Sequence, residues 1–273
     1  MCTSFVVHSK KTFIGMNFDN KNPIKIMIKD DNQFLVLVNE NGQFTPSFGC
    51  NRNGTFMNTL MVDSNEDGKY RRGKNVIHIM RLLEDILGEK IKPDSLRDLF
   101  KNNLIVNVPN YSVHSMIAGK NKDAYIVEPG RNNIDISSFN RDFMVLSCFP
   151  LSDYIGEDYT KVKGTGAERY KKAYEMIIKN HHSFNIDVGF SILKETMQQE
   201  GDYPTQFSMV SIPEENVIYF TINGDFTKGF EFSFLDNKIR TGFGFAEKNS
   251  YLLSKKGILL CELENLIRNG EKI

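Results

Sequence analysis

Cys2 has more chemistry to offer than any other residue in this chain. It directly follows Met1, and a residue that small at position 2 allows an initiator methionine to be removed. Removal would leave a cysteine with a free α-amine, which is a nucleophile carrying its own base. An α-amine has a reference pKa of about 7.7–8.0 and a thiol about 8.5, so the amine can take the thiol proton near neutral pH. The same amine can then protonate a leaving nitrogen. Position alone does not separate this role from an incidental second residue.

The other cysteines are Cys50, Cys148 and Cys261. None makes a Cys-x-x-Cys pair and no histidine stands at zinc-ligand spacing from one, so no metal site is expected. A long chain with few, scattered cysteines reads as reduced thiols, which points to the cytoplasm. Cys50, Cys148 and Cys261 are expected to be small buried hydrophobes.

Met1-Cys2-Thr3-Ser4, followed by Gly15-Met16-Asn17-Phe18-Asp19, resembles the choloylglycine hydrolase family of bile salt hydrolases and penicillin V acylases. Those enzymes begin Met-Cys-Thr and carry Gly-Arg-Asn-x-Asp at the end of the following hairpin strand. Val113–Ala118 leading to Tyr125–Pro129 resembles their paired strands, in which His114 and Glu128 are read as core packing. Gly166-Ala167-Glu168-Arg169-Tyr170 resembles a family motif at a helix start, and Pro204–Val210 with Val217–Thr221 resembles a late hairpin. The resemblance runs in order over about residues 1–235. It implies a catalytic set of Cys2, Asp19 and Arg169, with Asp19 holding the α-amine and stabilising it when protonated. No organic cofactor is implied.

Three positions depart from the family pattern. Met16 stands where the family has arginine, so one cation near the thiolate is missing. Cys148, in Leu146-Ser147-Cys148-Phe149-Pro150, falls where an asparagine donates into the oxyanion hole. A thiol is a weak donor, and losing one such hydrogen bond typically costs about 10²–10³ in rate. The second oxyanion asparagine of the family falls near Met61, where a backbone N–H is the alternative donor.

The elements that must position these residues follow from hydrophobic period. Phe5-Val6-Val7 and Thr12-Phe13-Ile14, separated by Ser9-Lys10-Lys11, predict a hairpin. A hairpin brings Asp19 back beside Cys2, because antiparallel neighbours lie about 5 Å apart. Alternating Ile24, Ile26 and Ile28, then Phe34–Val38 and Thr55–Val62, predict further strands. Residues 75–87 change to a helical period with Gly88 as the stop, and Pro93-Asp94-Ser95 opens a second helix. Strands return at Val113–Ala118, Ala124–Glu128 and Phe143–Leu146. Ala167, Tyr170, Ala173, Tyr174 and Ile177 line a helix, and Val188–Met197 a shorter one. Gln206–Ile212, Val217–Ile222 and Phe230–Phe234 are late strands, and a surface helix is expected from about Ser254 to Arg268.

Strands, helices, strands, helices, strands is an α+β order rather than strict βαβ alternation. No internal repeat or low-complexity linker is visible, so residues 1–273 read as one domain with a helical tail from about residue 250. The resemblance makes that domain a four-layer αββα N-terminal-nucleophile hydrolase sandwich.

Hydrophobic content of 40% and charged content of 25% are those of a globular chain, and no apolar run approaches the length of a membrane span. His8, Lys10 and Lys11 break the first apolar stretch before a secretory core forms, so the mature chain is expected to start at or next to Met1. With 34 basic and 34 acidic side chains, nothing in the charge calls for nucleic acid or a membrane as partner. The expected substrate is a small N-acyl amide, cleaved at its C–N bond through a Cys2 thioester. Acyl transfer to an amine is a close variant, and a degraded relative that only binds acyl compounds is the alternative from another class. Members of the family are often tetramers, which leaves a homo-oligomer open.

Overall fold

A computed structural model describes residues 2–139 and 141–268. Two antiparallel sheets form the frame. The first runs, edge to edge, Phe143–Ser147, Thr3–His8, Thr12–Asp19, Thr205–Ile212, Val217–Ile222, Phe230–Ser233, Lys238–Thr241, Ser250–Leu252. The second runs Ile134–Asp135, Ala124–Val127, Val113–Ala118, Phe56–Asn58, Gln43–Asn51, Gln33–Glu40, Ile24–Lys29, Ile258–Leu259, with Leu60–Met61 also paired to Val113–Ala118.

Burial explains the sequence pattern of the first hairpin. Every residue of Thr3–His8 and Thr12–Asp19 is buried, so these strands are covered on both faces and read as continuous apolar runs. On one face lie Ala167–Asn180, packed on Phe143–Ser147 and Thr3–His8, and Ile186–Thr196, packed on Thr12–Asp19 and Thr205–Ile212. On the other face the two sheets meet through phenylalanines. Phe18 and Phe207 of the first sheet stand 5.2 and 5.9 Å from Phe48 of the second, and Phe232 stands 4.8 Å from Phe34. Aromatic pairs at such separations add to the area they bury. Ile24–Lys29, by contrast, alternates buried with half-exposed residues, as a strand covered on one face should.

A second core lies on the outer face of the second sheet. Ile79, Leu82, Leu83, Ile86 and Leu87 pack with Leu35, Leu37 and Met57. They share one stripe of the helix Ile79–Leu87.

Several boundaries differ from expectation. The segment predicted as helix from residue 75 starts as a strand, Val76–His78, parallel to Leu104–Val106. The helix begins only at Ile79, where His78 Nδ1 caps it by accepting from Arg81 N at 3.0 Å. The strand predicted over Thr55–Val62 breaks at Thr59, whose N and Oγ1 both donate to Ser47 O at 2.9 Å. The tail expected as a surface helix from Ser254 first adds the strand Ile258–Leu259 to the second sheet. The helix itself spans Leu260–Arg268, with Leu260 and Leu263 in the main core. The last residues of the expected tail, 269–273, lie outside the described residues.

Candidate active site

Ladder register brings the predicted residues together. Thr3 pairs with Ser147 on one side and with Asn17 on the other, and Asp19 pairs with Thr205. Cys2, one residue before Thr3, is therefore held between the ends of two neighbouring strands. Its backbone N donates to Cys148 Sγ at 3.1 Å, and its carbonyl accepts from Ser147 Oγ at 3.2 Å and Cys148 Sγ at 3.6 Å. On the opposite side Asp19 N donates to Cys2 Sγ at 3.4 Å. Cys2 is 5% exposed. Its neighbours Ser147, Cys148 and Asp19, from the strands on either side, enclose it.

That enclosure sets its acidity. Burial pushes the Cys2 thiol far up, and the neighbouring Asp19 and Cys148 push in the same direction. Burial thus favours the protonated thiol over the thiolate. Cys148 is likewise raised by burial, with Arg169 opposing.

Asp19 is buried at the end of its strand, and Thr205 Oγ1 donates to its carboxylate. Burial lifts its pKa to about 6, while the Thr205 hydrogen bond and the Arg169 charge limit the rise. Asn17, two residues earlier, fixes the strand. Its Nδ2 donates to Leu193 O at 2.8 Å and Thr196 Oγ1 at 3.1 Å, and its Oδ1 accepts from Ser208 Oγ at 2.7 Å. A buried amide this fully satisfied locks three elements together.

Arg169 enters from the first turn of Ala167–Asn180. Its Nε donates to Thr3 Oγ1 at 3.2 Å and its Nη1 to Gln198 Oε1 at 3.4 Å. Its Nη2 is buried with no hydrogen-bond partner among the described residues. Gly166 makes this approach feasible. It caps the helix at φ +81°, and a Cβ there would stand 2.2 Å from Ser147 Oγ and 2.9 Å from Arg169 Nη2. Only glycine takes that φ readily and clears both atoms.

The three departure positions behave differently. Cys148 joins the cluster through the Cys2 backbone, as given above. Met16 is fully buried on the face that meets the second sheet, where Asn58 Nδ2 points at its Sδ at 3.5 Å. Met16 is therefore part of the main core. Met61 is 53% exposed and pairs with Val113 in the second sheet, so it does not share the enclosure of Cys2.

Residues that sequence reasoning missed complete the surroundings. Asn58 is fully buried, donates to Ser4 Oγ at 3.0 Å and accepts from Met116 N at 2.7 Å, which ties the inner face of the first hairpin to the second sheet. Ser147 and Thr205, inside segments that carry the resemblance but given no role there, contact Cys2 and Asp19. His114 and Glu128, expected as core packing, are buried and in addition joined to each other at 2.9 Å. Glu128 also accepts from Leu151 N at 2.8 Å and Ser152 N at 2.9 Å, anchoring the loop that follows Cys148. Desolvation would raise this carboxyl, but the hydrogen bonds from His114 and Ser152 outweigh it and hold it below the usual range.

Among the described residues, no group of three or more His, Cys, Asp or Glu side chains is placed to hold a metal ion. No helix among them is long and apolar enough to cross a membrane.

Two solved structures share this fold along almost the whole chain. A mutant conjugated bile acid hydrolase from Clostridium perfringens superposes with a TM-score of 0.63 at 18% identity, covering 93% of this chain and 98% of the other. Penicillin V acylase from Agrobacterium tumefaciens gives 0.63 at 13% identity, covering 88% of this chain and 90% of the other. At these identities the likeness is one of fold alone. No protein-family model and no curated protein sequence matches the chain.

Proposed function

We propose that this chain is an amidohydrolase that cleaves the C–N bond of small N-acyl amides, with Cys2 as the nucleophile. The observation that supports it is convergence. A thiol and a buried carboxylate at the open end of the first hairpin meet an arginine from the first turn of a distant helix, through Cys2, Asp19 and Arg169. The proposal includes a four-layer αββα domain formed by the chain as a whole, with helices outside each sheet.

In this reading the residue before Cys2 is removed, and the α-amine so formed stands where Cys2 N now contacts Cys148 Sγ. The amine takes the thiol proton, and Sγ attacks the acyl carbon to give a tetrahedral oxyanion. The C–N bond breaks as the ammonium returns its proton to the leaving nitrogen, leaving a thioester on Cys2. Water, deprotonated by the same amine, then releases the acid. Asp19 balances the ammonium, and Thr205 fixes the Asp19 carboxylate. Arg169 offers its Nη2 to a substrate oxygen. Cys148 and Ser147 orient Cys2 through its backbone, and Cys148 is the nearer candidate for an oxyanion donor. Met16 shapes the apolar side, and Met61 has no part in the chemical step.

Two observations favour the second reading, a protein that binds acyl compounds without turning them over. The thiol is enclosed and strongly disfavoured as thiolate, and the position of the family arginine is filled by Met16. A panel of N-acyl amides with bile acid, aryloxyacetyl and fatty acyl groups separates the two, assayed for released amine. The hydrolase reading expects amine from at least one member, in stoichiometric excess over enzyme. Saturable binding with no amine from any of them would support the binder.

A further inference from the structure

Cys2 has a second thiol beside it, and we propose that Cys2 and Cys148 are a redox pair that closes into a reversible disulfide under peroxide and thereby blocks the site. Thr3 and Ser147 are Cα partners in an antiparallel ladder, so Cys2 and Cys148 are the next pair along, just past the strand ends. Directly opposed antiparallel residues have Cα atoms about 4.5–5.5 Å apart, inside the window of about 4.4–6.8 Å that a disulfide spans.

The side chains agree with the register. Cys148 Sγ lies on the Cys2 backbone, 3.1 Å from N and 3.6 Å from O. Cys2 Sγ at present leans the other way, toward Asp19 N at 3.4 Å. Turning it to Cys148 takes a move between staggered χ1 wells. Any small backbone adjustment falls on residues just past the ladder, where the Cys2 backbone is held by side chains of Ser147 and Cys148 rather than by ladder bonds. The remaining cysteines are placed differently. Cys50 is buried in the strand Gln43–Asn51 of the second sheet, and Cys261 is exposed on the helix Leu260–Arg268.

The chemistry balances with one hydrogen peroxide. It oxidises one thiol to a sulfenic acid and leaves as water. The second thiol attacks that sulfur, forms the S–S bond and expels a second water, so two electrons pass from the thiols to the peroxide. Burial slows the first step, because both thiols are held protonated. A dithiol reductant reverses the bond. With its sulfur tied to Cys148, Cys2 cannot attack an acyl carbon. The pairing itself does not depend on the hydrolase reading.

The test is peroxide treatment of the reduced full chain, followed by intact mass and a non-reducing peptide map. The expected result is the loss of two hydrogens and a cross-link between the N-terminal peptide and the peptide holding Cys148. Dithiothreitol should restore both the mass and any amide turnover, with turnover lost in proportion to the cross-linked fraction. In Cys148→Ala, and in Cys148→Ser should the first fold poorly, Cys2 should instead gain oxygen and recover only in part. Oxygen on Cys2 of the parent chain without a link to Cys148 would overturn the proposal, as would a first link through Cys50 or Cys261. The mass readout is independent of turnover, so a reduced protein that hydrolyses no amide leaves this test intact.

Discussion

Cys2→Ala removes measurable amide turnover and leaves the fold in place. Deleting the nucleophile of a site that works as a unit costs about 10⁶ in rate, because the remaining groups then have nothing to activate. The structural cost is modest but not zero. Cys2 is buried between two strands, so its sulfur leaves a small void, and about 1 kcal/mol is expected. The hydrogen bond that Ser147 Oγ donates to the residue-2 carbonyl persists in the variant. Amine release and thermal unfolding, measured on the same preparation, check both halves. If Cys50→Ala is the inactivating change and Cys2→Ala turns over normally, the nucleophile has been misassigned.

Asp19→Asn is expected to lower turnover about 10²-fold while binding of the acyl portion persists. The amide keeps the shape and can still accept from Thr205, but it removes the charge that balances the ammonium. The pH dependence makes the assignment specific. Burial raises Asp19 to about 6, so the parent carboxyl is neutral below that pH and ionised above it. Activity should therefore fall as pH drops through about 6, and the asparagine variant should lack that limb. Stability carries the opposite sign. A carboxyl raised above its ordinary value stabilises the fold at low pH, and that contribution is lost as pH rises through the folded-state value. The stability of Asp19→Asn relative to the parent should accordingly improve from pH 4 to pH 7. A parent rate flat from pH 5 to pH 8 would contradict the role given to Asp19.

Much of this frame was legible in the sequence, and the parts that were not have physical reasons. The hairpin of Thr3–His8 and Thr12–Asp19 announced itself through apolar runs split by Ser9-Lys10-Lys11. The helix Ala167–Asn180 showed its buried stripe of Ala167, Tyr170, Ala173 and Ile177. Val76–His78 was read as helix because its apolar residues continue the helical period, and the His78 side-chain cap is outside the usual Ser, Thr, Asp and Asn set. Lys238–Thr241 and Ser250–Leu252 went unseen. They are short, polar and near the edge of the first sheet, so they carry little alternation to read. At the site, Cys2, Asp19 and Arg169 carried a motif signal. Asn58 carried none, since its role comes from reaching across two sheets to Ser4 and Met116. Met61 was placed by alignment offset alone, and its exposure shows how little one strand's offset says about depth.

The most direct measurement is intact mass of the purified protein before and after brief acid quench with an N-acyl amide that it turns over. The account predicts a chain shortened by Met1, beginning at Cys2, and an added acyl group that maps to Cys2 and disappears as hydrolysis completes. Fully active protein that retains Met1 would contradict it, since the amide nitrogen of a blocked Cys2 cannot act as the base. Turnover with the acyl group found on any other residue would contradict it equally.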